Sequence, residues 1–449
     1  ITSKDGYKMG DKSDVVRSWD FVWKVLVFIA VIMEMLLLQR RLKTNDALDT
    51  KQVDIFIKDG VIQKISEGIT PEKECEILDG DGAYVSAGWV DTYSFLPDPG
   101  AEWKESLESA AKAFSKAGFT SAAVLAGVDP LPEKPGDIQS VINRSEPLEI
   151  QMMPWGLATE GRKGFEMSEI FAMKEAGAIG ATDGMREHAS DGLRVRMLQY
   201  CASLNIPYMI HPFNHHLVDS AMVHEGVVSV DLGMKGIPTA SETSALLADI
   251  ELAKWLNVPL RILGISSKES LEIVKKAKSD GVDIKCSVPI MNLLHDEHDL
   301  IDFDERFKVI PPLRSKADKE ALKYGVLDGS IDAISTNHTP EDIESQKREF
   351  EYADFGADTL SGFGGMLLEI FGEINLPKAM QVLSSGNREF LSLPSVEVVE
   401  GAKADLTIYN PKQVENPAVS GSKAFNRLQI SATVTGGVVA TIRGGRVVH

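Results

Sequence analysis

On either side of Lys58-Asp59-Gly60, apolar and polar side chains alternate in the runs Val53-Asp54-Ile55-Phe56-Ile57 and Val61-Ile62-Gln63-Lys64-Ile65. A period of two marks a half-buried strand, and Asp-Gly between two such runs predicts a tight hairpin. The same pattern returns at the far end of the chain, in Ala404–Tyr409, Ala432–Thr435, Val438–Ile442 and Arg446–Val448, with Gly436-Gly437 and Gly444-Gly445 as turns. Between the two ends the pattern changes. Residues 102–116 carry Trp103, Leu107, Ala110, Ala111 and Phe114 at helical spacing, and Gly118 stops the run. After the apolar stretch at Gly88–Asp91, further short runs recur at 121–126, 148–154, 178–183, 207–211, 260–266, 282–288 and 331–336, with a helix predicted over 241–256. Eight strands, each followed by a helix or a long excursion, predict a (β/α)8 barrel in preference to a doubly wound sheet. The barrel is assigned to residues 86–394. A small β-sandwich is assigned to both ends of the chain, 35–85 and 395–449, with 1–34 as an extension. No internal repeat or low-complexity segment interrupts this plan.

A length of 449 residues suits one large barrel with an accessory domain. The formal net charge of -19 argues against a nucleic-acid groove or an anionic membrane surface. Cys75, Cys201 and Cys286 are far apart and form no CxxC pair, so they are read as reduced thiols of a cytoplasmic protein. Residues 19–38 form an apolar run broken only by Asp20, Lys24 and Glu34, just long enough to span a membrane. Its end, Met35-Leu36-Leu37-Leu38, overlaps a strand that the β domain needs. The chain opens on Ile1, so a start assigned too far upstream is one expected origin of residues 1–34, with a membrane anchor as the lesser alternative.

The candidate chemistry centres on Gly88-Trp89-Val90-Asp91-Thr92-Tyr93-Ser94-Phe95-Leu96-Pro97-Asp98-Pro99-Gly100, where an apolar strand gives way to a Pro/Gly turn. A first barrel strand delivers side chains to the catalytic face in this way, and residues two apart point to the same side. The stretch resembles the Asp-x-His-x-His strand end of the amidohydrolase superfamily, and most closely that of the dihydroorotase family, which continues Leu-Arg-Glu-Pro-Gly. Tyr93 and Phe95 stand at the two imidazole positions and Pro97 at the arginine position. A phenol with a pKa near 10 is no zinc ligand at neutral pH, and Phe has no donor atom.

The resemblance extends from about Met35 to His449. It includes Phe307-Lys308-Val309-Ile310-Pro311-Pro312-Leu313-Arg314, Leu327–Asp332, and Gly233–Pro238 with Glu242. At the other strand ends it implies that Gly127 replaces a substrate-binding Asn and that Gly264 replaces a metal-binding His. It also implies that Pro289-Ile290-Met291 replaces Pro-His-His. Asp183 matches an acidic position at strand four, and His211 keeps the imidazole of strand five. In Ser335-Thr336-Asn337-His338-Thr339-Pro340, Asn337 stands where the family has its proton-shuttling Asp. A carboxamide does not titrate near neutral pH and cannot serve as a general base. His215 and His216 follow His211 closely and read on their own as loop residues.

The resemblance implies an activity, metal-assisted hydrolysis of a cyclic amide between dihydroorotate and carbamoyl aspartate, that these substitutions should abolish. The expected function is that of an inactive family member of pyrimidine biosynthesis, without catalytic residues or bound metal. It would act as a scaffold for aspartate carbamoyltransferase, and the family implies a homodimer. The alternative is an active amidohydrolase holding one zinc in a rearranged site drawn from Asp183, His211, His215 and His338. A third reading is a ligand-binding module whose mouth is lined by Tyr93, Phe95, Ile290 and Met291.

Overall fold

The computed structural model describes residues 35–42, 52–70, 75–80, 82–186, 190–428 and 431–449. The extension 1–34 and the first part of the apolar run lie outside these. No helix among the described residues is long and apolar enough to cross a membrane.

Eight parallel segments close a barrel. Trp89–Leu96 pairs with Phe119–Ala126, which pairs with Gln151–Pro154. The ring continues from Pro154 to Ile179 through a 3.0 Å backbone bond, and then from Ala181 to Tyr208 by an isolated bridge. Met209–Ile210, Leu260–Ile262, Ile284–Pro289 and Ala333–Ser335 follow in parallel order. Closure comes from Asn337 N–H donating to the Tyr93 carbonyl at 3.1 Å and Phe95 N–H donating to the His338 carbonyl at 2.9 Å.

Several strands are shorter than their apolar runs: most begin pairing two or three residues late, and strand six ends early, at Ile262. Each even-numbered strand is followed, one or two residues on, by a residue in the left-handed region: Gly127 at φ 101°, Gly184 at φ 65°, Gly264 at φ 70° and Asn337 at φ 49°. These bends aim the segments that follow the strands at the barrel mouth.

The terminal segments form one mixed sheet. Gln52–Lys58 and Val61–Ser66 make the expected hairpin, and positive φ at both Asp59 and Gly60 fits the turn type that matches strand twist. Leu406–Glu415 pairs antiparallel with Tyr84–Ala87 on one side and with Val434–Arg443 on the other, joining the two ends of the chain. Ile55, Ile57, Val85, Leu406, Ile408 and Ile442 belong to a core separate from that of the barrel.

Two local expectations are corrected. Gly436-Gly437 is not a turn but lies inside the continuous strand Val434–Arg443. A side chain on Gly364 would come within 2.8 Å of the Gly437 Cα, so these glycines let helix Phe363–Gln381 approach the sheet closely. The helix predicted from 102 begins at Leu107 instead. Ser106 caps it in a capping box with Ser109, which leaves Trp103 outside the helix and 65% exposed.

Candidate functional site

At the barrel mouth lies a cavity of about 340 Å³. Tyr93 and Phe95 both line it, as their two-residue spacing predicts, together with Met291 and Asn337. Ile290, expected beside Met291, instead packs into the barrel core. The lining also includes the segment that carries Phe355, Gly356 and Ala357. Lys308 holds that segment: its ammonium donates to the carbonyls of Phe350, Glu351 and Ala353 at 2.7–3.0 Å and lies 4.9 Å from the centre of the Phe355 ring. Burial holds the Lys308 amine below its ordinary pKa.

Two cations line the same cavity, and the sequence reading had singled out neither. Arg162 ends the short 3-10 turn Glu160–Arg162, and Arg186 follows the fourth strand. Arg162 Nε and Nη2 donate to the Asp183 carbonyl at 3.3 and 2.9 Å, and its guanidinium sits 5.9 Å from the centre of the Phe95 ring. Burial lowers the Arg162 pKa, and the charge of Arg186 pushes it in the same direction. The signal available in the sequence was two arginines in the excursions after strands three and four of a strongly acidic chain.

The remaining sequence candidates are dispersed. The Asp183 carboxylate accepts from the Ala158 and Thr159 N–H groups at 3.1 and 3.0 Å and from the Thr159 hydroxyl at 2.6 Å. It thereby fixes the strand-three loop that carries Arg162, and does not itself line the cavity. Pro97 is buried in a turn, its carbonyl accepting from Ala101 N–H at 2.7 Å. At Gly127 a Cβ would meet the Pro130 carbonyl oxygen at 2.6 Å, so the backbone leaves no room for the side chain the family resemblance places there. Gly264 is less confined, since its Cβ would find Pro289, Pro311 and Met185 at 3.5–3.6 Å.

His211 is buried and stacked on Phe213, with Nδ1 at 3.0 Å from the Leu263 carbonyl and Nε2 without a hydrogen-bond partner. Burial is the main reason its pKa falls to about 4, so the ring is neutral and Nδ1 carries the proton. His215 and His216 lie in the 3-10 turn His215–Leu217, as loop residues. His338 lies apart from the cavity, between the carboxylates of Glu105 at 3.7 Å and Asp358 at 3.5 Å, and its ring faces Phe114. Burial pushes the Glu105 carboxyl up, but His338, Ser109 and Ser422 together outweigh that and hold it below its ordinary value.

This donor set does not fit a zinc centre. Zinc takes three protein ligands at the least, drawn from imidazole, thiolate and carboxylate. No group of three such residues among the described ones converges on a point. The cavity-facing positions of the first strand present a phenol, whose pKa burial raises further, and a phenyl ring.

A closed parallel barrel with a β domain built from both termini is the architecture of the amidohydrolase superfamily. The fold matches a crystal structure of D-hydantoinase with a TM-score of 0.78 at 19% identity, covering 92% of this chain and 95% of that one. It matches the L-hydantoinase (dihydropyrimidinase) from Arthrobacter aurescens with a TM-score of 0.76 at 20% identity, over 92% and 96% of the two chains. The sequence narrows the class. A model of the dihydro-orotase-like family matches residues 82–270. A dihydroorotase from Geobacter sp. (strain M21) is 32% identical over 405 residues, 88% of this chain and 95% of the relative. Another from Halalkalibacterium halodurans is 32% identical over 404 residues, 89% and 94% of the two chains. The chain belongs to the dihydroorotase family.

Proposed function

We propose that this dihydroorotase-family protein does not hydrolyse a cyclic amide and serves pyrimidine biosynthesis as a scaffold or assembly partner of aspartate carbamoyltransferase. The observation that carries the non-hydrolytic reading is the barrel mouth itself: Tyr93, Phe95 and Asn337 face it where the family resemblance calls for ligands and a base. Metal-assisted hydrolysis needs an ion to generate hydroxide and a group to move its proton. Among the described residues that line the mouth, none is an imidazole, thiolate or carboxylate that would fill either role. The framework, by contrast, is kept in detail, as Lys308, Glu242 and Arg314 show, which supports a role for the folded surface over the site.

Elemental analysis and a carbamoyl aspartate cyclisation assay test the first half. Zinc well below one ion per chain and no turnover are expected; zinc-dependent turnover rejects it. For the partner role, the two proteins mixed at micromolar concentration should elute together on size exclusion, and separate elution counts against it.

One observation favours a second reading, a rearranged hydrolase. His211 presents a neutral ring with an unpartnered, buried Nε2, the form in which imidazole binds metals. His211→Ala would then remove both metal binding and turnover together.

A further inference from the structure

A second cavity, of about 580 Å³, shares no lining residue with the one at the barrel mouth. Three segments distant in sequence build it: the 3-10 turn Glu305–Phe307, the end of helix Ile343–Gln346, and the loop that carries Phe425 and Arg427. Hydrogen bonds fix that loop. Phe425 N–H donates to the Glu341 carbonyl at 2.7 Å, and Asp358 N–H donates to the Asn426 carbonyl at 3.0 Å. The buried Asn426 carboxamide donates to the Thr339 carbonyl at 2.9 Å and accepts from Glu341 N–H at 3.1 Å. From the other side, Arg306 grips the Asp304 carboxylate with Nε and Nη2, and its Nη1 donates to the carbonyls of Arg427 and Leu428 at 3.3 and 3.5 Å.

Two cations here keep unspent charge. In a chain with a formal net charge of -19, three of the four charged side chains that line this cavity among the described residues are cationic: Arg306, Lys347 and Arg427, against Glu305. Arg306 has spent its donor fork as above. Arg427 has not: Nε donates to the Ser361 hydroxyl at 3.3 Å and lies 3.9 Å from the Asp358 carboxylate, and among the described residues nothing accepts from Nη1 or Nη2. That carboxylate is already engaged, accepting from the N–H groups of Leu360 and Ser361 at 3.0 and 3.2 Å and from the Ser361 hydroxyl at 2.5 Å. Lys347 holds its ammonium 5.5 Å from the centre of the Phe425 ring, and no carboxylate among the described residues comes within ion-pair distance of it. An acceptor is left over as well. Gln346 lines the cavity and is only 3% exposed; its Nε2 donates to the Asp354 carbonyl at 3.1 Å, which sets the amide's orientation, and its Oε1 has no hydrogen-bond partner. A buried amide oxygen without a donor is unfavourable, and a hydroxyl brought into the cavity supplies one.

We propose that this second cavity binds a sugar phosphate, free or as part of a nucleotide, with the phosphate dianion between Arg427 and Lys347 and a sugar hydroxyl donating to Gln346 Oε1. Charge and shape select this chemistry. A guanidinium fork takes two oxygens of a phosphate and an ammonium acts as a point charge on the third, whereas a carboxylate has one charge and two oxygens to share between the same pair. The volume lies in the range of small-molecule sites and is far more than a bare phosphate fills. Binding at this place is independent of metal content and turnover at the barrel mouth.

The test is calorimetric titration of the full chain at pH 8, where a phosphomonoester is a dianion, with ribose 5-phosphate against ribose, adenosine monophosphate against adenosine, and inorganic phosphate alone. Each ester should bind at least tenfold more tightly than its neutral counterpart, ribose 5-phosphate should bind more tightly than inorganic phosphate, and added salt should weaken both esters. Tighter binding of adenosine monophosphate than of ribose 5-phosphate identifies the nucleotide as the ligand, and the reverse order identifies the free sugar phosphate. Arg427→Gln removes the fork. Lys347→Glu reverses the charge at an exposed position whose one contact of note is the Phe425 ring, so it should fold like the parent. Both variants should lose at least tenfold in ribose 5-phosphate affinity. Equal binding of the esters and their neutral counterparts overturns the proposal, as does a folded Lys347→Glu protein with the parent's affinity, because the ester then sits elsewhere. Inorganic phosphate bound as tightly as ribose 5-phosphate also overturns it, and so does the failure of both esters to bind at millimolar concentration.

Discussion

The carboxylate of Asp91, on the first barrel strand, accepts both the backbone N–H and the hydroxyl of Thr336, just beyond the last strand, each at 2.8 Å. Ser94 donates to the same carboxylate at 2.5 Å. The seam where the barrel closes is therefore locked by one buried acid, placed just before the two residues that have taken the ligand positions. Burial is the main effect on it and raises its pKa to about 6, against the pull of Ser94 and Thr336.

That shift fixes the sign of a pH dependence. The folded state holds a proton on Asp91 up to about pH 6, whereas the unfolded chain releases it near 3.8. Between those values the folded state binds more protons, so the contribution of Asp91 to stability falls as pH rises through the window. About two pKa units correspond to roughly 3 kcal/mol. Asp91→Asn keeps the shape and can still accept from Thr336 N–H, but it has no charge to bury. In urea titrations, the stability of the variant relative to the parent should rise by roughly 2 kcal/mol between pH 4 and pH 8. A difference that does not change with pH would remove Asp91 from the acid response. Asp91→Ala, which strands the Thr336 N–H, should cost about 1–3 kcal/mol at any pH.

His211 should respond with the opposite sign. Its folded pKa of about 4 lies below the ordinary 6.5, so the unfolded chain binds the extra proton, and stability is lost as pH falls from 6.5 toward 4. His211→Asn retains a donor for the Leu263 carbonyl without a titrating ring. The parent should lose roughly 2 kcal/mol relative to this variant between pH 7 and pH 4.5. Parallel stability curves would mean that the ring titrates in the fold as it does in the unfolded chain, and a parent that gains stability as pH falls would mean that the ring is already protonated in the fold.

How much of this was legible depended on whether the cause was local. The hairpin at Asp59-Gly60 and the alternation of barrel strands are written in nearest-neighbour chemistry, and so is the shared orientation of Tyr93 and Phe95. Strand six was overstated because its apolar run, 260–266, continues through the left-handed bend at Gly264, which turns the chain without breaking its hydrophobicity. Gly436-Gly437 looked like a turn because the helix it accommodates is some 70 residues away in sequence. Arg162 was invisible for a related reason. Its direction is set by the Asp183 carbonyl from a different strand and by a φ that no composition rule anticipates for arginine. The imidazole of His338 was read with its sequence neighbours, but its partners Glu105 and Asp358 come from distant segments.

The Glu242–Arg314 pair should prove strongly coupled. Both side chains are buried; Arg314 Nη2 lies 3.3 Å from the carboxylate, and Arg314 Nε donates to the Ser266 hydroxyl at 2.9 Å. Glu242 also accepts from the Ser266 and Ser267 N–H groups. Burial pushes its pKa up, and Arg314 and the serines together pull it below the ordinary value. Arg314→Met leaves a buried anion without its cation and should cost about 3–5 kcal/mol. In a double-mutant cycle with Glu242→Gln, the pair of substitutions should cost less than the sum of the singles. Additive losses would show that the two residues act separately.

Lys308 is expected to link stability to the shape of the cavity. Its ammonium satisfies three carbonyls in residues 350–353, and the turn so formed delivers Phe355 to the barrel mouth. Lys308→Met keeps most of the apolar stem but leaves those carbonyls without their donor, a loss of about 1–3 kcal/mol. Phe355→Ala provides the control: it removes the ring but leaves the three carbonyls their donor, and the half-buried position limits the stability loss. Comparing the two variants by denaturation separates the roles, and a Lys308→Met protein as stable as the parent would show that the turn stands without its lysine.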